Sequence, residues 1–183
     1  ISIGKKAEVS INLEQDGKIN ATSPYSVNES GYNRHGIESY GKLTIKRGTV
    51  TANGPYSGLY QSGGTFNITG GTLVTAGSSG MVQAITARDN KSTLNLYFTE
   101  TQKANTLVSI TDESGNLVCA YKPTKDFQNI VIYNSDILKN KKYTVSVGGT
   151  ITGESVKGYY ESGTVTDAEK LCSLHSLSPF TAC

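Results

Sequence analysis

Long apolar runs are missing from this chain, and so is the apolar spacing at three and four residues that builds an amphipathic helix. The first absence means that no stretch approaches the length of a membrane-spanning helix, so membrane insertion is not expected. The second leaves strands and turns as the material of the fold. Tryptophan is absent, whereas 20 glycines and 11 tyrosines are spread over 183 residues, a mixture suited to many short strands. At this length the chain makes one domain or at most two.

Charge is scarce as well. Charged residues make up 17% of the chain, the net charge is +2, and no Lys/Arg run is interleaved with aromatics. A nucleic-acid surface needs such a run, so nucleic acid is not an expected partner. Catalytic signatures are missing too: there is no Gly-x-Ser-x-Gly elbow, no Gly-x-Gly-x-x-Gly loop and no P-loop. A glycosidase would need two facing carboxylates. A lyase would need a base above calcium-binding acids, and Lys46-Arg47, the pair that suits that role, reads better as an outward corner. Three cysteines are too few for a disulfide framework. Cys119 reads as a small buried strand residue. Cys172 and Cys183 lie close enough in sequence for a bridge, but unbridged thiols are the favoured reading, and a zinc site at Cys172 and His175 lacks further ligands.

What is present is a repeat. Leu43-Thr44-Ile45 aligns with Phe66-Asn67-Ile68, and Gly48-Thr49-Val50 with Gly71-Thr72-Leu73, each pair 23 positions apart. A repeat of this length is one unit of a stacked architecture. Within each unit apolar and polar residues alternate, which predicts strands with one buried face, and a glycine corner separates two such strands. One unit is too small to bury its apolar face, but stacked units cover one another. The pattern therefore predicts an all-β chain whose residues 1–81 form about three coils of a parallel β-helix, with ladders of like residues inside. Val9, Ile11 and Leu13, then Gly17-Lys18-Ile19, form the first coil, and residues 21–35 are an insertion. Gly36-Ile37 and Gly58-Leu59 open the next two coils, with Ile37 stacked on Leu59. Ile1-Ser2-Ile3-Gly4 reads as the tail of an earlier coil, which implies other domains of a larger surface protein as neighbours.

The repeat stops after Met81, and residues 82–183 are expected to cap the last coil. Strands are predicted at 94–98, 107–111, 117–121, 130–133 and 143–147. Turn residues at 112–116 and 139–142 suggest hairpins, hence antiparallel pairing.

Three phrases in order carry a family resemblance: Thr69-Gly70-Gly71-Thr72-Leu73-Val74-Thr75-Ala76-Gly77-Ser78-Ser79-Gly80-Met81, then Gly115-Asn116-Leu117, then Lys142-Tyr143-Thr144-Val145 before Gly148-Gly149. From about Gly36 onward the chain resembles the C-terminal part of the clostridial carbohydrate-binding right-handed parallel β-helix family, a pectate-lyase-like solenoid. The resemblance implies a secreted or cell-surface protein that binds acidic pectin-like polymer or cellulose, with calcium at coil corners. Those corners typically read Asp-Asp-Gly-Ile in the family. Here they read Asn33-Arg34-His35-Gly36-Ile37 and Tyr56-Ser57-Gly58-Leu59, without paired aspartates.

Sugar binding needs flat aromatic faces and polar groups on a rigid platform. Tyr25, Tyr32, Tyr56 and Tyr60 are the candidate binding residues, and Tyr40 falls at a similar corner. Glu38 is the candidate metal ligand, although calcium takes about six to eight oxygens. His35 reads as a lone loop histidine. Lys122, Lys125, Lys139, Lys141 and Lys142 give the cap a basic tint that favours an anionic polymer. The expected function is non-catalytic, extracellular binding of plant-type polysaccharide. The alternatives are a structural or adhesive cell-surface β-solenoid and, third, a polysaccharide lyase.

Overall fold

The computed structural model describes residues 1–4, 8–12, 17–23, 35–78, 91–175 and 181–182. Among them every regular element is a β-strand, so the chain is all-β. The first part of the described chain holds β1 (Ser2–Ile3), β2 (Glu8–Asn12), β3 (Lys18–Thr22), β4 (His35–Ser39), β5 (Lys42–Arg47), β6 (Thr49–Asn53), β7 (Ser57–Gln61), β8 (Thr65–Ile68) and β9 (Thr72–Gly77). These strands pair in parallel, each with its equivalent one repeat later, in the orders β1-β4-β7, β2-β5-β8 and β3-β6-β9.

The registers are those the repeat predicts. Leu43 lies opposite Phe66, Ile45 opposite Ile68, Val50 opposite Leu73 and Ile37 opposite Leu59. All of these residues belong to one core together with Ile3, Ile11 and Ala21, so the three ladders share a single interior. Each fully buried Leu, Ile or Val contributes roughly 1.5–3 kcal/mol, which is how strands of five residues hold together once stacked. The corners between the second and third ladders need glycine. Gly48 and Gly71 sit one above the other at φ 82° and 75°, and a Cβ on Gly71 would stand 2.5 Å from the carbonyl oxygen of Gly48.

The second part holds β10 (Lys91–Gln102), β11 (Val108–Thr111), β12 (Leu117–Tyr121), β13 (Phe127–Leu138), β14 (Lys142–Val147), β15 (Thr150–Thr152), β16 (Tyr159–Tyr160), β17 (Thr164–Thr166), β18 (Glu169–His175) and β19 (Thr181–Ala182). β13 pairs antiparallel with β9, and β10 with β13, so the third ladder grows into a six-stranded sheet, β19-β10-β13-β9-β6-β3. A separate antiparallel sheet runs β16-β12-β11-β14-β18, and β15 and β17 form a small ribbon.

The six-stranded sheet is a shared wall. All six residues of β9 are buried. Leu73, with Val131 and Tyr133 of β13, belongs to the interior of the stack, whereas Val74 and Ala76, with Ile130 and Ile132, belong to the core of the second part. A buried hydrogen bond crosses from one part to the other: the Tyr121 hydroxyl donates to Asn53 Oδ1 at 2.8 Å.

Three expectations are corrected. Ala21 and Thr22 complete β3 and His35 begins β4, so residues 21–35 are not all insertion. The pairing offset falls from 31 (Ile19 with Val50) to 22 (His35 with Ser57), which makes the extra length nine residues. Second, β13 and β14 are not a hairpin despite their turn, since β14 pairs with β11 and β18. The turn fixes a chain reversal but not a partner, and the apolar faces of β13 and β14 meet across the core instead of edge to edge. Third, Cys172 is disulfide-bonded while Cys119 is free and buried. The other cysteine of the chain, Cys183, lies outside the described residues.

Two outcomes follow from this packing. Gly71→Ala, strained in φ and crowding Gly48, lowers stability by about 1–3 kcal/mol in urea unfolding, whereas an unchanged midpoint means the corner is not built as described. Burial, aided by the charges of Asp136 and Glu161, pushes the Cys119 thiol from its ordinary 9.0 up to about 12. Burial likewise raises the hydroxyls of Tyr121 and Tyr159. Between about pH 9 and 12 the unfolded thiol has lost its proton and the folded one has kept it. Stability is therefore full below pH 9 and falls as pH rises through that window, read as a declining urea midpoint.

Candidate functional site

The three parallel ladders differ in what their outer faces carry. The third is covered at β9 by the second core. The second presents a polar row, Ser10 beside Thr44 beside Asn67, with Lys46 and Arg47 exposed at one end as an outward pair. The first, β1-β4-β7, carries a cluster of rings.

Each ring owes its place to the stacking. His35 opens β4, Tyr40 follows its end, Tyr56 closes the short corner before β7, and Tyr60 lies within β7. Parallel register sets His35 beside Ser57 and Glu38 beside Tyr60. The His35 ring stacks on Tyr60 with centroids 4.5 Å apart and planes 13° from parallel. Tyr56 meets His35 edge-on at 5.8 Å, and Tyr40 meets Tyr60 edge-on at 6.3 Å. All four rings are half-buried, held by one another while keeping exposed surface.

Polar contacts fix the cluster. The Tyr40 hydroxyl donates to Glu38 Oε1 at 2.6 Å. Ser57 Oγ lies 2.7 Å from His35 Nδ1 and 3.2 Å from the carbonyl oxygen of Leu59, with donor and acceptor in the histidine pair set by the imidazole tautomer. Ser57 is only 1% exposed, so its hydroxyl positions the imidazole and is not offered to a substrate. The arrangement presents partly exposed aromatic rings beside a carboxylate, a surface suited to packing against apolar ring faces and to accepting hydrogen bonds from hydroxyls.

Of the residues expected from the sequence, Tyr56 and Tyr60 are brought together, both against His35. Tyr40 joins them. Tyr25 and Tyr32 lie outside the described residues. Glu38 is at the site, but it holds the Tyr40 hydroxyl, and among the described residues no three His, Cys, Asp or Glu side chains gather as a metal would need. His35 is the member that sequence reasoning left in a loop. The signal was the match of Gly36-Ile37 to Gly58-Leu59, which carries His35 onto Ser57 one position earlier.

A second concavity, about 400 Å³ in volume, opens in the second part of the chain between Asp112, Glu113, Asp136, Lys141, Lys142 and Tyr143. Its lining mixes three carboxylates with two ammonium groups. Asp112 is committed to the β11–β12 turn, accepting from the Asn116 side chain and from the backbone N–H groups of Asn116 and Ser114. Those bonds hold its carboxyl below the usual range. The ring cluster is the better site.

No family model, curated protein or solved structure matches this chain.

Proposed function

We propose that this chain is a non-catalytic, extracellular or cell-surface carbohydrate-binding protein, built as a right-handed parallel β-helix of about three coils closed by an antiparallel cap. The observation that carries this reading is the ring cluster of His35, Tyr40, Tyr56 and Tyr60 beside the Glu38 carboxylate on the outer face of the first ladder. Sugar rings have apolar faces and hydroxyl edges, and this surface offers a partner for each. A stack of parallel strands about 4.8 Å apart is rigid and extended, so an elongated polymer can lie along it without reordering the protein. The ligand is a plant-type polysaccharide, either a pectin-like polymer or cellulose, and Glu38 is the residue from which any calcium requirement would arise.

Pull-down on insoluble cellulose and on insolubilised polygalacturonate, each with and without chelator, tests the reading. Retention on at least one polymer is expected, and loss of retention with chelator would establish calcium. A protein that stays in solution throughout acts as a structural or adhesive element instead. Release of unsaturated product from pectate, followed by ultraviolet absorbance, would make it a lyase. Tyr56→Ala combined with Tyr60→Ala is expected to weaken binding roughly tenfold, at about 0.5–1.5 kcal/mol per ring, with little change in thermal midpoint. Unchanged affinity would move the ligand to another face.

A further inference from the structure

We propose that the ring platform selects an uncharged, hydroxyl-rich polysaccharide over a uronate polymer, and that Glu38 sets the choice. The inference rests on the binding reading above and narrows its ligand. Parallel register puts Glu38 beside Tyr60, the ring against which both His35 and Tyr40 pack. The Tyr40 hydroxyl holds Oε1 at 2.6 Å and so fixes the carboxylate against the rings that a sugar would cover. Any sugar stacked on Tyr60 therefore brings its edge groups to Glu38. Sugar hydroxyls donate to a carboxylate and gain a charge-assisted bond. A uronate brings a second carboxylate to the same place.

Among the described residues β1, β4 and β7 carry no Lys or Arg side chain to offset the repulsion between those two anions, and the Ile1 ammonium beside β4 is bonded to the Gly36 carbonyl at 2.9 Å. Lys42 begins β5, in the second ladder. Lys122, Lys125, Lys139, Lys141 and Lys142 belong to the second part of the chain, whose core covers the outer face of the third ladder. Salt screens charges more than about 8–10 Å apart, whereas a half-buried carboxylate in contact with the ligand is screened much less. Adjacent charge outweighs the net +2 of the whole chain.

The test is isothermal titration of the intact chain at pH 8, where histidine is ordinarily unprotonated, with cellohexaose and hexagalacturonate on the unaltered protein and on Glu38→Gln. At low salt the unaltered protein is expected to bind cellohexaose about tenfold tighter than hexagalacturonate. Glu38→Gln, whose amide oxygen still accepts from Tyr40, is expected to tighten hexagalacturonate binding about fivefold, an effect that shrinks in roughly 0.5 M salt. Preference for hexagalacturonate by the unaltered protein, or a ratio that Glu38→Gln leaves unmoved, overturns the proposal and leaves the binding reading standing. Binding of neither oligosaccharide overturns that reading and this inference with it. Should the variant lose its thermal transition, the preference of the unaltered protein decides alone.

Discussion

One sheet is buried on both faces at its central strands β6 and β9, and the rest of the molecule is arranged around it. β3, β6 and β9 are the third ladder of the repeat, and through β9 the same sheet continues into β13 and β10. Its alternate residues serve two cores, Leu73 and Val131 on one side, Val74 and Ile132 on the other. Period-two side-chain alternation makes this possible, and a slip of one residue in the β9–β13 register would exchange the two sets. The Tyr121–Asn53 hydrogen bond lies across this wall. A buried amide with a lost partner costs about 1–3 kcal/mol, so the contact fixes how the two parts sit as well as adding stability.

Because one outer face is spent on the second core, two remain for solvent. They diverge through small differences in sequence. The face of β2-β5-β8 carries Ser10, Thr44 and Asn67, short polar groups that hydrate individually. The face of β1-β4-β7 carries rings that hold one another, with Ser57 and Glu38 as their polar anchors. Parallel register makes neighbours of residues 22 positions apart, His35 with Ser57 and Glu38 with Tyr60, and the His35 and Tyr60 rings, 25 positions apart, stack between those two pairs. The same stacking gives a rigid platform from strands too short to be stable singly.

The second part of the chain shows a different logic. Its core is closed by buried groups that do not ionise at neutral pH: Cys119, Tyr121 and Tyr159 are all raised by burial. Its core cluster contains no charged residue, and at the β11–β12 turn Asp112 accepts backbone N–H groups that the reversal would otherwise leave unpaired. Charge therefore organises turns at the surface and is excluded from the interior.

The 23-residue repeat, the alternation within it and the glycine corner were enough by themselves to determine the strands, their parallel order and which residues face inward, because each is set by neighbours one or two positions away or by one fixed offset. Tyr56 and Tyr60 were legible as corner and strand residues of the same coil, but the ring that joins them, His35, was not. Tertiary structure alone decided that β13 joins β9, that β14 leaves for another sheet, that Cys172 is bridged and that His35 belongs to the ring cluster. Those outcomes depend on which apolar faces find each other in space. A turn or a spacing specifies where the chain reverses, and packing chooses what it reverses onto.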